Sequence, residues 1–226
     1  MQTLDYSSEL VLLAGKNNYA KALLTRIRDK LTTERECYEA VKTAGFLLAV
    51  QAVDLFLTPL QVNVVTPLNV QYKGITFDKG RIKIVGILEG SVPLEEGVRE
   101  AFWMLGFNNI PTFHIMFDKR SSQSGLLKLP KFDDNDIVII VDDVISTGIT
   151  MDYALKEVTK EAQPLIIVLS LIISPRIGCL LQRYQKLKIL ALEFDPVINE
   201  NGFLIPGVGD MDARIFGPLQ RGKLER

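Results

Sequence analysis

The chain has 226 residues, of which 47% are apolar and 23% charged, and a net charge of −1. These are the proportions of a globular protein long enough to bury a sizeable core. They exclude the basic field that nucleic-acid binding needs, and no apolar run reaches the roughly 18 residues that span a bilayer.

Met1-Gln2-Thr3-Leu4-Asp5 shows no basic segment followed by an apolar one, so no secretory signal is expected and the cytoplasm is the expected compartment. Apolar positions at Tyr19, Leu23, Leu24, Ile27 and Leu31 form a helical stripe over residues 19–31. Thr33 followed by Glu36 fits a capping box. It announces a second helix through Cys37, Val41, Ala44, Leu48, Ala52 and Leu55 to about Leu57. That helix is apolar on more than one face near its end, which suits burial against a sheet or a partner subunit. From residue 60 the rhythm becomes that of strands. Gln61 to Val65 ends at Thr66-Pro67, and residues 69–84 read as a hairpin turning near Asp78-Lys79-Gly80. Ile82 to Leu88 is the next strand and ends in the loop Glu89-Gly90-Ser91-Val92-Pro93. A helix over 94–105 and a strand around His114, the single histidine, follow; there His114 reads as an ordinary strand residue. Asp118 to Gly125 has the composition of a loop or hairpin tip, and the charged run from Lys131 to Asp136 that of a solvated edge.

Ile137 to Val141 is an unbroken run of five β-branched residues, the pattern of a central parallel strand covered on both faces. It breaks into Asp142-Asp143-Val144-Ile145-Ser146-Thr147-Gly148-Ile149-Thr150. Met151, Ala154, Leu155 and Val158 then mark one side of a helix over 150–162. An apolar strand from Leu165 to Ile173, a helix from about Pro175 to Tyr184 and a strand from Lys188 to Phe194 continue the alternation. The expected fold is α/β: a mostly parallel central sheet with helices on both faces, plus a β-hairpin and two N-terminal helices. A single domain is expected over 1–226, with the N-terminal helices in 1–57 and the α/β core in 60–217. Cys37 and Cys179 lie far apart in helical patterns, as buried thiols of a reducing compartment would. No Cys/His cluster points to zinc.

The chemistry concentrates where the Ile137–Val141 strand meets its helix, the place where open α/β sheets bind ligands. Free N–H groups at the helix start, with the hydroxyls of Ser146, Thr147 and Thr150, form a cradle for a phosphate. Asp142 and Asp143 stand before it, able to accept from sugar hydroxyls. The pattern Asp-Asp-x-x-x-Thr-Gly-x-Thr resembles the phosphoribosyl pyrophosphate (PRPP) loop of type I phosphoribosyltransferases. Phe203-Leu204-Ile205-Pro206-Gly207-Val208-Gly209-Asp210 narrows the resemblance. It looks like the base-binding segment of uracil phosphoribosyltransferases, whose pattern is aromatic-Ile-Val-Pro-Gly-Leu-Gly-Asp. Leu24-Thr25-Arg26-Ile27-Arg28-Asp29, Thr66-Pro67-Leu68, Lys128-Leu129-Pro130, Asp195 to Glu200 and Arg214-Ile215-Phe216-Gly217 are similar to that family's further segments, in the same order.

The resemblance implies transfer of phosphoribose from PRPP to uracil, giving UMP and pyrophosphate in pyrimidine salvage. Magnesium would enter on the substrate, with no metal site of the protein's own. It implies Asp142, Asp143 and Asp210 as the central acids. Val144, Ile145, Ser146, Thr147, Gly148, Ile149 and Thr150 would surround the phosphate. Leu204, Ile205, Pro206, Gly207, Val208 and Gly209 would surround the base. It further implies a homo-oligomer, a dimer or tetramer, and leaves a nucleotide effector open. Three positions depart from the family pattern. Ile149 replaces a second glycine, and a β-branched residue fits badly wherever positive φ or a close backbone approach is needed. Ala213 stands where the family has Asp, with Asp212 one residue earlier. Glu89 stands where the family has the arginine that serves pyrophosphate. A carboxylate about 4 Å from a phosphate charge is repelled by roughly 1 kcal/mol in water-like surroundings, and by about 4 kcal/mol at an effective dielectric near 20. Either Glu89 turns outward and Lys119 or Arg120 supplies the cation, or the chain is a weakly active or non-catalytic nucleotide-binding paralogue. Asp142-Asp143 also looks like the purine and orotate branches, whereas the base-reading segment is of the uracil type.

Overall fold

The structure, a computed structural model, describes residues 10–12, 16–118, 123–126 and 129–217. After β1 (Leu10–Leu12), the side chain of Asn17 starts α1 (Asn18–Arg28) by accepting from the N–H groups of Tyr19 and Ala20. The expected capping box starts α2 (Glu34–Phe56): Thr33 Oγ1 accepts from Glu36 N–H, and the Glu36 carboxylate accepts from Thr33 N–H. β2 (Leu60–Val65) and β3 (Gln71–Thr76) pair only with each other, antiparallel. The α/β succession then runs β4 (Ile82–Leu88), α3 (Val92–Met104), β5 (Thr112–Asp118), β6 (Gln123–Leu126) and β7 (Ile137–Val141). It continues through β8 (Val144–Ile145), α4 (Ile149–Val158), β9 (Leu165–Ile173), α5 (Ile177–Arg183) and β10 (Leu187–Phe194). β11 (Val197–Ile198), β12 (Leu204–Ile205) and α6 (Met211–Phe216) complete it.

The main sheet is ordered β1-β10-β9-β7-β4-β5-β6, with β8 added along β9, and only the β5–β6 pair is antiparallel. The β-branched run of β7 occupies the middle. Its alternate side chains serve two cores: Val138 and Ile140 meet α4 and α5, while Ile139 and Val141 join α1, α2, α3 and α6. The α2–α3 crossing is backbone-close, because a side chain at Gly45 would collide with the Leu94 carbonyl and one at Gly97 with that of Lys42. From β7 the chain passes to β9, and from β4 to β5 on the opposite side. The crevice between the carboxyl ends of β4 and β7 is therefore the sheet's topological switch point, which places loops 89–91 and 142–148 together. No helix among the described residues is long and apolar enough to cross a membrane.

Several sequence expectations change. The hairpin expected over 69–84 does not form: β3 pairs with β2 instead, through a turn at 66–70 where Thr66 N–H donates to the Val70 carbonyl, and Asp78-Lys79-Gly80 leads into β4. Leu31 is exposed, because α1 ends at Arg28, and Tyr19, in the first turn of α1, is exposed as well. The helix expected over 150–162 ends at Val158, with Thr159 Oγ1 turned back to the Leu155 carbonyl. Asp136 and Phe132 do not lie on a solvated edge: both are buried, and Asp136 pairs with Lys83 and accepts from Asp133 N–H. Of the two thiols only Cys37 is buried, which pushes its pKa up; Cys179 is exposed.

Candidate active site

Three segments meet at the switch point. Asp142 closes β7; it is 7% exposed, and its N–H donates to the Leu169 carbonyl at 3.1 Å. Gly90, in the loop after β4, has no side chain to displace Oδ2 of Asp143. A Cβ there would collide with that oxygen and stand 3.0 Å from Oδ1 of Asp212. Asp212, one residue before the departing Ala213, thus comes to the same point as Asp143, so the carboxylate reaches this corner from the neighbouring position.

The loop between β7 and α4 is held by its backbone. Asp143 O accepts from the N–H of Leu171 and from Ser170 Oγ, and β8 pairs with the end of β9. Ser174 N–H donates to the Ile145 carbonyl at 3.0 Å, and Ser174 Oγ to that of Ser146 at 2.5 Å. Gly148, φ 77°, starts α4 in the left-handed region. Ile149 is already helical, and Asn69 is the single non-glycine residue of positive φ among the described residues. The family's second glycine is therefore not needed for φ here. α4 receives no side-chain cap, unlike α1, α2 and α6, so its first N–H groups face outward with the positive end of the helix dipole. Arg176 lies beside this start, its Cβ within 3.7 Å of where a Gly148 side chain would begin. The sequence carried no signal for Arg176, because a βα loop on a neighbouring strand meets this one only after the sheet forms.

The base-type segment forms a small hairpin of β11 and β12, closed by Asn199, whose side chain accepts from the N–H groups of Asn201 and Phe203. Ser146 Oγ donates to the Gly202 carbonyl at 2.5 Å and so joins the phosphate-type loop to this hairpin. Its hydroxyl proton is thereby given to the Gly202 carbonyl. Beyond a cis Ile205–Pro206 bond, Gly207 has φ 67°, and a Cβ there would collide with the Leu204 carbonyl, so no other residue fits. Leu204, Gly207 and Val208 are buried, whereas Ile205, Pro206 and Gly209 are exposed. Asp210 is exposed and caps α6 by accepting from Ala213 N–H at 3.4 Å. Glu89 is exposed too and makes no ion pair among the described residues. Lys119 and Arg120 lie outside the described residues. The site lies at the sheet end, from buried Asp142 to exposed Thr147 and Ile149. Two grooves of about 490 and 500 Å³ share no residue with it.

Residues 14–218 match the uracil phosphoribosyltransferase family. The uracil phosphoribosyltransferase of Pyrobaculum islandicum is 31% identical over 207 residues, covering 88% of this chain and 95% of its own. That of Metallosphaera sedula is 30% identical over 204 residues, covering 86% and 94%. Among solved structures, the AQ2163 protein from Aquifex aeolicus shares the fold with a TM-score of 0.78 at 21% identity, covering 92% of this chain and 98% of that one.

Proposed function

Since this chain belongs to the uracil phosphoribosyltransferase family, a family of glycosyltransferase-type enzymes, we propose that it transfers the phosphoribosyl group of PRPP to N1 of uracil. The C1′–oxygen bond to pyrophosphate breaks, the C1′–N1 bond forms and the N1 proton leaves to solvent, giving UMP and pyrophosphate. No enzyme nucleophile is needed. The work of the chain is positioning, together with stabilisation of charge on the leaving group.

Asp142 and Asp143 accept from the ribose hydroxyls, and the open start of α4, from Thr147 to Thr150, holds the 5′-phosphate on its N–H groups. Magnesium bound through the substrate's diphosphate would neutralise charge there, and Asp143 and Asp212 are hard oxygen donors that would suit it. The turn at 205–209 reads the uracil edge through its backbone. The observation that carries this reading is the bond from Ser146 to Gly202, which fixes a phosphate-type helix start and a base-type hairpin as one unit. Exposed Glu89, in place of an arginine, favours the second reading, a nucleotide-binding paralogue that turns over slowly or not at all.

A homo-oligomer in the cytoplasm belongs to the same proposal. Its support is the β2–β3 ribbon, where Leu60, Val62, Val64 and Tyr72 share one face by register and Leu60, Val64 and Tyr72 are exposed. The deciding experiment is UMP formation from uracil, PRPP and magnesium, run beside a PRPP titration. Turnover that Asp142→Asn lowers by roughly a hundredfold or more is expected. PRPP binding without turnover on uracil or any other base moves the chain to the paralogue reading. Absence of both overturns the two readings together.

A further inference from the structure

Two motifs have no part in the chemistry described so far: Arg28 at the end of α1, and Asp195 just after β10. The structure brings them together against the base-type turn. Arg28 Nη2 donates to Asp195 Oδ1 at 2.6 Å and Nη1 to Oδ2 at 2.9 Å, a two-pronged pair in which Asp195 is 1% exposed. The same Nη1 donates to the Gly207 carbonyl at 2.7 Å, while Gly207 N–H donates to Asp195 Oδ2 at 2.8 Å. Both polar groups of Gly207 are thus gripped by one ion pair. Asp195 is itself fixed to the sheet, its N–H donating to the Ile173 carbonyl at 2.9 Å.

A second arginine repeats the arrangement one residue on. Arg214 Nη1 donates to the carbonyls of Val208, at 3.0 Å, and Ile27, and Nη2 to that of Asp29 at 2.7 Å. The carbonyls of Ile27 and Asp29 belong to the end of α1, where the helix leaves acceptors unsatisfied. Both polar groups of Gly207 and the Val208 carbonyl are thus taken. Among the described residues, the N–H groups of Val208 and Gly209 have no acceptor.

We propose that Arg28 and Asp195 are positioning residues for the nucleobase. They lock the Gly207 peptide so that the N–H groups of Val208 and Gly209 are presented to a carbonyl edge of the base, and they make base affinity depend on α1, an element outside the α/β succession. This rests on the phosphoribosyl-transfer reading for its substrate and on the geometry alone for the clamp. The buried pair favours mild substitutions, since removing a partner outright leaves an uncompensated charge.

The test compares the full-length protein with Arg28→Lys, which keeps both charges of the pair and loses the fork, and, should that variant fail to fold, with Asp195→Glu, which also keeps both charges and displaces the carboxylate. The expected result is a KM for uracil raised roughly tenfold or more, a KM for PRPP unchanged within about twofold, and faster amide exchange at 207–209 but not at 147–152. A merely structural role would lower the folded fraction and leave the uracil KM per folded molecule unchanged, which overturns the proposal. Should the unaltered protein make no UMP, the transfer reading falls, and amide exchange at 207–209 decides the clamp by itself: unchanged exchange overturns it.

Discussion

Gly148 and Ile149 show how one dihedral angle decides whether a departure from a family pattern matters. A β-branched residue in place of glycine is strained wherever φ is positive, and in this loop that position belongs to Gly148. Gly207 is the opposite case, with positive φ and the Leu204 carbonyl where a side chain would begin. Gly207→Ala should destabilise the fold by at least about 1 kcal/mol, because alanine is forced into the left-handed region, and weaken uracil binding in parallel. Urea unfolding and a uracil titration on the same sample check both. An unchanged midpoint would show that the turn relaxes freely. Asp212 was legible only as a neighbour of Ala213; that its carboxylate reaches Gly90 alongside Asp143 follows from the placement of α6, which no local pattern encodes.

α2 and α3 were both legible as helices, the first from its capping box and the second from its apolar spacing. Their mutual contact was not. Gly45 and Gly97 bring the backbones together, and Lys42 bridges Glu96 at 2.7 Å and Glu100 at 3.2 Å along the rim. The hydrogen bonds from Lys42 and then from the Tyr38 hydroxyl hold the Glu96 carboxyl below the usual carboxylate range. A folded-state pKa that is depressed contributes stability above the unfolded value and loses it as pH falls through the folded one. The contribution of Glu96 should therefore be full at neutral pH and fade under acid. Thermal midpoints of the unaltered protein and Glu96→Gln, followed from neutral pH into the acid range, should converge as pH falls. A gap that stays constant would mean that the Glu96 charge contributes nothing to the contact.

Across the whole molecule, the β2–β3 ribbon is the element whose surroundings are incomplete. A two-stranded ribbon is marginal in water by itself, and this one keeps Leu60, Val64 and Tyr72 exposed on one face. If a second copy covers that face, Val64→Asp should shift the protein toward monomer in analytical ultracentrifugation while leaving the site around Asp142 intact. An unchanged sedimentation profile would exclude the ribbon as the contact.

By itself the sequence determined the elements and the local chemistry. The unbroken β-branched run of Ile137 to Val141, the Thr33–Glu36 box and the Asp-Asp…Thr-Gly and Pro-Gly-Val-Gly-Asp segments all act over a few residues, through sterics and hydrogen bonds that short-range patterns express. Only the tertiary structure decided what meets what. The turn of the ribbon lies at 66–70 because strand register is set by pairing across the ribbon, and Asp136 became buried because Lys83 of the neighbouring strand stands beside it. Arg28 and Asp195, 167 residues apart, close on Gly207 because β10 and the end of α1 are brought to one place. Such contacts depend on how helices and strands assemble around the two cores, and their residues carry no mark of it until the chain is folded.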